Sequence, residues 1–308
     1  MVRERFDAEL AYFSAYNMDS TPSREGEAAR LVAMYHVLEK GLTMPARRLG
    51  FGQPMALSIV QKLEQFRTKY GDTTDAAYQH AVAVLREYAE LHRQEGFALN
   101  AELQAALERV LAENPFEASS QIRMTPETYW SAGEKEFAAF SASRHSVRNY
   151  GEGTVPEEKI RAAVELANNA PSACNRQPCR VYCVREDAAK ERLLQIQGGN
   201  RGFGHLADKV LVLTCDRRSF MLTEPFSVYV NGGIYLMNLA YALHYEQIAH
   251  CILTWVASPV LDEEAHRLLD IPAHEAIIAC MTLGNLPNGE FPLASSPRKS
   301  AGETLVMR

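Results

Sequence analysis

The sequence predicts a helical first half and a second half in three layers, with helices on both sides of a buried sheet. Apolar residues recur at three- and four-residue steps through the first half. From Val155 onward, helical stretches alternate with short β-branched runs. A chain of 308 residues is also long enough for about two domains.

The elements follow in order. "ALSIVQKLEQFRTKY" places Leu57, Val60, Leu63, Phe66 and Tyr70 on one helical face, and "AAYQHAVAVLREYAELH" repeats the pattern. "NAELQAALERVL" starts at an Asn100 cap and is stopped by Pro115. Residues 1–130 therefore form a helical region, with "NPFEASSQIRMTPE" as the connector to residues 131–308. "VPEEKIRAAVELANN" has Pro156 in its first turn, acids behind it, and apolar residues at 160, 163, 164 and 167. The strands "RVYCV", "DKVLVLTCD", "HCILTW" and "AIIACMTLG" then alternate with the helices "DAAKERLLQIQ", "VYVNGGIYLMNLAYALHYEQ" and "DEEAHRLLDI". Alternation alone suggests a parallel, doubly wound sheet. Its usual fingerprint is absent, since neither "GGNRGFG" nor "NGGIY" forms G-x-G-x-x-G between a strand and a helix.

Composition excludes several classes of function. A formal net charge of -6 argues against a broad nucleic-acid footprint. The opening "MVRERFDAEL" has no apolar core of a secretory signal, and the apolar runs fall short of the ~18–20 residues that span a bilayer. No membrane partner and a cytoplasmic location are expected. The six cysteines read as reduced core residues; Cys174, Cys179 and Cys183 lack the spacing of a zinc site, and no metal is expected.

Three polar stretches stand out, although "SRHSVRNY" alone also reads as a solvated basic turn and "SSPRKSAGETL" alone as a solvated tail. "SRHSVRNY" packs Arg144, His145, Ser146 and Arg148 into a plausible anion cradle, because guanidinium forks bind phosphate oxygens bidentately. "NAPSACNRQP", residues 169–178, carries more amide side chains than a turn needs, and "SSPRKSAGETL" adds Arg298 and Lys299 near the end. "YHVLEKGLTMPARRLGFG" reads as a packing loop capping a helix that ends near Lys40, with a loop over an active site as the alternative.

Taken in order, these stretches resemble the nitroreductase family of FMN-dependent flavoproteins. "SRHSVRNYGEGTVPEEKIRAAVELANNAPSACNRQPCRVYCV" is similar to that family's R-x-S-x-R-x-F/Y segment, helix, and P-S-x-x-N-x-Q-P loop before a strand. "LLDIPAHEAIIACMTLGNLP" resembles its Ile-Pro turn and last core strand, and "PRK" its C-terminal phosphate motif. The resemblance covers residues 140–308 and leaves the helical half unassigned. It implies an α+β, three-layer fold with a mixed, mainly antiparallel sheet.

It also implies a site. Arg144 and Ser146 would meet the FMN phosphate or ribityl chain, joined by Arg298 and Lys299, with His145 at the same chain or orienting the loop. Arg148 would lie near the N1 and O2 edge, where positive charge favours reduced flavin. Pro171 and Ser172 would pack at the flavin edge, and Asn175 and Gln177 would offer amides to it. Cys174 stands beside them as a small filler or a redox thiol. Trp255, Ala257 and Ser258 fall where the family has a Trp-x-Gly-Gly-like turn facing flavin N5, with Ala257 and Ser258 in place of the glycines. Asn200 or Arg201 would approach the ring or substrate.

The implied chemistry is ping-pong hydride transfer from NAD(P)H through FMN to a small organic acceptor, a nitroaromatic, quinone or similar, in a homodimer with shared sites. The alternatives are a flavin-binding module that recruits a partner or senses redox state, and a specialised flavin chemistry such as dehalogenation or flavin breakdown.

Overall fold

The structure is a computed structural model that describes residues 2–20, 23–43, 48–71, 73–116, 118–121, 137–289, 291 and 300–308. Arg298, Lys299, Arg47 and most of the connector's second half lie outside the described residues.

Among the described residues, the first half holds the helices α1 (Val2–Tyr16), α2 (Arg24–Thr43), α3 (Gln53–Tyr70), α4 (Ala76–Gln94) and α5 (Ala101–Glu113). Asp75 caps α4 by accepting from the backbone N–H of Ala77 and Tyr78, and the Asn100 carboxamide caps α5 through Leu103 N–H at 2.8 Å. α2 to α5 enclose one core built on Leu38, Ile59, Leu63, Tyr78, Leu85 and Leu103. α1 stands apart from it. Its Phe13 is buried in a second-half cluster with Cys215, Phe220, Val228 and Ala276.

One boundary differs from the sequence reading. Gly41, read there as the stop of a helix near Lys40, lies inside α2, which runs on to Thr43. The Phe51 ring packs so closely on Gly41 that a Cβ would stand 2.1 Å from it. This glycine serves close packing rather than a turn.

The second half begins with α6 (Phe137–Ser143) and α7 (Glu157–Ala167), followed by β1 (Cys179–Val184), α8 (Asp187–Gln197) and β2 (Lys209–Asp216). α9 (Ser227–Tyr245), β3 (Ala249–Thr254), α10 (Pro259–Leu268), β4 (Glu275–Gly284) and α11 (Ala301–Thr304) complete it. The four strands run in the order β1-β2-β4-β3, and every neighbouring pair is antiparallel. The arrangement is α+β in three layers. Val210 and Val212 of β2 pack with α8 and α10, while Leu211 and Leu213 pack with α7 and α9. Burial on both faces gives β2 the continuous apolar run that suggests a parallel strand. Helices on both sides explain that run without parallel pairing. Among the described residues, no helix is long and apolar enough to cross a membrane.

Candidate functional site

Residues 144–150 lie beside β3 and are anchored at two buried points. Val147 N–H donates to the His250 carbonyl at 2.9 Å. The Tyr150 hydroxyl is 3.0 Å from the Thr282 carbonyl and 2.8 Å from Thr282 Oγ1. Arg144 and Ser146, just before the first anchor, are half-buried, and Arg148, between the two, is exposed. Neither arginine forms an ion pair with a described residue; Arg148 instead lies over the Phe203 ring at 6.0 Å. Burial pushes the Cys251 thiol up, and Arg148, the Ser146 hydroxyl and Arg144 pull it back. The cations are thus close enough together to share one field.

His250 completes this group. It is 2% exposed, and Nδ1–H donates to the Ile248 carbonyl at 3.0 Å, which leaves Nε2 as a buried acceptor without a partner. Burial holds its pKa down at about 4, with Arg144 and His244 acting in the same direction against the Ile248 hydrogen bond. Unpaired guanidinium charge, a hydroxyl and an unused acceptor suit a phosphate carried on a hydroxylated chain.

The 169–178 loop is held in an unusual conformation. Cys174, Asn175 and Gln177 have φ of 53°, 56° and 48°, a left-handed region that side chains rarely occupy. Arg176, whose side chain is 1% exposed, holds the loop from beneath. It donates to the Ala173 carbonyl at 2.9 Å, the Ser219 carbonyl at 2.7 Å and both Glu224 carboxylate oxygens at 2.8 Å. Asn231 on α9 accepts from Ala173 N–H at 2.7 Å, and Ser172 Oγ accepts from Gln177 N–H at 2.9 Å. With these anchors engaged, Asn175 and Gln177 remain exposed. Arg176, Glu224 and Asn231 were not among the predicted site residues. The only sequence signal was an amide set directly before two helical glycines, where Gly232 admits the Ile278 side chain within 2.6 Å of a Cβ position.

The 255–258 turn joins β3 to α10. Trp255 Nε1–H donates to Asp262 at 2.6 Å, and Ser258 Oγ accepts from Leu261 N–H at 3.4 Å as the cap of α10. Ser258 has φ of -65° and Ala257 is not among the positive-φ residues, so the turn tolerates side chains where the family resemblance expects glycines. Beside it opens a cavity of about 550 Å³ lined by Trp255, Ala257, Phe226, Tyr229, Ile278 and, from α1, Tyr12 and Phe13. Its walls are largely aromatic and apolar, and Arg217 meets Glu9 at its edge. Burial, followed by Glu9, pushes the Tyr229 hydroxyl well above its ordinary value.

The predicted residues therefore occupy several places in one chain. Pro171, Ser172 and Gln177 line a 120 Å³ cavity with Asn231 and Tyr235. Asn175 and Gln177 also face a 450 Å³ cavity walled by α2 and α4. Trp255 and Ala257 line the aromatic cavity, and Arg144, His145, Ser146 and Arg148 lie along β3. Asn200 lines a separate cavity on α8, and its amide donates to the Leu194 carbonyl at 2.6 Å and to Gln197 at 3.0 Å, holding its own turn. Arg201 is exposed beside it.

Comparison with known proteins bears on the same half of the chain. Residues 141–199 match the model of the Nitroreductase family. A protein of Thermus thermophilus named "NADH dehydrogenase" is 41% identical over 73 residues, 24% of this chain and 35% of that protein. A Streptomyces coelicolor protein named NADH dehydrogenase/NAD(P)H nitroreductase is 37% identical over 82 residues, 26% of this chain and 41% of that one. The chain thus spans well under half the length of these curated relatives. Among solved structures, a nitroreductase from Desulfovibrio desulfuricans described in complex with FMN has a TM-score of 0.47 at 23% identity, covering 57% of this chain and 98% of that one. A nitroreductase-like protein from Streptococcus mutans has a TM-score of 0.49 at 20% identity, covering 56% and 98%. The anion cradle, the helix after it and the amide-rich loop all fall inside the stretch, residues 141–199, that matches the Nitroreductase family model.

Proposed function

We propose that the protein is an FMN-dependent oxidoreductase that takes hydride from NAD(P)H and passes it to a small organic acceptor such as a nitroaromatic or quinone. The observation that carries this reading is the pairing of two complementary places on β3: unpaired cationic groups along the strand and an aromatic cavity at the turn that ends it. Arg144, Arg148 and Ser146 would hold the phosphate end, and His250 Nε2 would accept from a hydroxyl of the chain. Trp255, Tyr229 and Phe226 would bound the ring and exclude water, and the backbone at Ala257 would donate to it. FMN, when bound, supplies the two-electron hydride chemistry. The side chains need only bind, orient and stabilise negative charge, a role that suits the cation at Arg148.

The exposed amides of Asn175 and Gln177 line a different cavity from Trp255, so their part in the same site calls for a second copy of the chain. α9 offers a surface for it. Phe226, just before the helix, and Val230, Ile234 and Met237 within it repeat at helical spacing and are 39–67% exposed. A homodimer joined through this face is part of the proposal.

An absorption spectrum of the purified chain after loading with FMN, followed by anaerobic NADPH and then NADH, tests the function. Bound flavin that bleaches with either nucleotide supports it; absence of binding, or flavin that neither nucleotide reduces, overturns it. Light scattering tests the dimer, with about twice the 34.4 kDa chain mass expected.

A further inference from the structure

β1 and β2 bring two thiols face to face. In their antiparallel register Cys179 lies directly opposite Cys215, the one position in the described strand pairs where cysteine meets cysteine. Asp216 N–H donates to the Pro178 carbonyl at 2.8 Å, so the adjacent 179–215 pair is of the non-hydrogen-bonded kind. Such pairs hold their Cα atoms about 4.5 Å apart with side chains on one face. That separation falls within the roughly 4.4–6.8 Å that a disulfide spans.

The two thiols differ in access. Cys215 is fully buried, and the Cys179 thiol donates to the Asn231 carbonyl at 3.8 Å. Cys179 is half-buried and lines both the 450 Å³ cavity and the 120 Å³ cavity beneath the 169–178 loop. Burial pushes the Cys215 thiol well up, which makes Cys179 the thiol that meets a reagent first.

We propose that Cys179 and Cys215 form a reversible dithiol–disulfide pair, oxidised by a small-molecule disulfide that reaches Cys179 through these cavities. Cys179, as thiolate, attacks one sulfur of oxidised glutathione; the S–S bond breaks and one glutathione thiolate leaves. Cys215 then loses its proton and attacks the Cys179 sulfur, breaking the mixed disulfide and releasing the second glutathione thiolate. Two cysteine thiols are oxidised, one glutathione disulfide is reduced to two thiols, and the two protons given up are taken by the products. Closure ties the start of β1 to the end of β2 directly under the strained loop, and removes a thiol from the wall of both cavities. The pair stands whether or not the chain binds flavin.

The full-length chain is incubated with oxidised glutathione, alkylated, digested and analysed by mass spectrometry. Expected is a Cys179–Cys215 cross-linked peptide, lighter by two hydrogen atoms than its reduced parts, with both thiols lost from the alkylatable pool and restored by dithiothreitol. Cys183, which faces Leu211 across the same strands, serves as the unpaired control. In Cys215→Ala, a small change that keeps the strand, the reaction should stop with glutathione on Cys179. If Cys179 and Cys215 both remain alkylatable in the wild type, or if Cys179 bridges to Cys174 instead, the proposal is wrong.

Discussion

Arg217 and Glu9 form a two-bonded ion pair across 208 residues of sequence, with Arg217 Nε 2.9 Å from Glu9 Oε1. The Arg217 side chain is only 4% exposed, and the Tyr12 ring covers its guanidinium at 5.1 Å. Replacing Glu9 by Gln leaves a buried cation without its counter-charge, which should cost about 3 kcal/mol in denaturant unfolding. Pairing that change with Arg217→Met should restore much of the loss. A wild-type unfolding midpoint for Glu9→Gln would show that the pair does not hold α1 in place.

Arg176 gives the second prediction. It satisfies two carbonyls and one carboxylate under a loop that keeps three side chains at positive φ. Arg176→Ala should lower stability by about 3 kcal/mol and expose the loop to proteolysis, because those acceptors lose their donor together. Arg176→Lys should recover only part of this, since an ammonium cannot reproduce the fork to Glu224. Limited proteolysis with peptide mapping would reveal the cut; equal resistance in Arg176→Ala and wild type would contradict the role.

The pH dependence follows from His250. Its folded pKa of about 4 lies below the ordinary 6.5, so below pH 6.5 the unfolded chain binds more protons than the folded one. The stability from keeping this ring neutral is present above pH 6.5 and is lost as the pH falls toward 4. The full loss is about 3 kcal/mol. Thermal melts of the wild type and of His250→Gln across this range should converge on acidification, and parallel curves would rule the histidine out as a source of the slope.

Gly284 supplies a packing test. A Cβ there would stand 2.5 Å from Tyr150 Cδ1, and the Tyr150 ring is buried. Gly284→Ala should displace the ring, weaken its hydrogen bonds to Thr282 and loosen residues 144–150, at a cost of about 1–3 kcal/mol. Gel filtration of the FMN-loaded variant should show faster loss of flavin absorbance than wild type. Retention equal to wild type would separate the Tyr150 anchor from the proposed FMN site.

The elements of the fold were legible because side-chain period reports them locally: all four strands coincide with short β-branched runs, and the Asn100 cap starts α5. Strand direction was not, because a strand buried on both faces reads the same in parallel and antiparallel sheets. The 169–178 loop showed its special character in its amides, and Asn175 stands at a φ that asparagine tolerates better than most residues. The Arg176 anchor stayed hidden because its carboxylate partner, Glu224, lies 48 residues away. Similarly, nothing near Phe13 indicates that its packing partners are Cys215 and Phe220 rather than the neighbouring helices.

That long separation has a consequence for synthesis. Helix α1 leaves the ribosome before Arg217, the charge partner of Glu9, which follows 208 residues later. At roughly 5–20 residues per second, the delay is on the order of 10 to 40 s. Throughout it Phe13 has no place to bury, although α2 to α5 can already close around their own core. The nascent chain therefore carries a helix with an unsheltered aromatic anchor beside a finished bundle, and chaperone capture during translation should concentrate on α1.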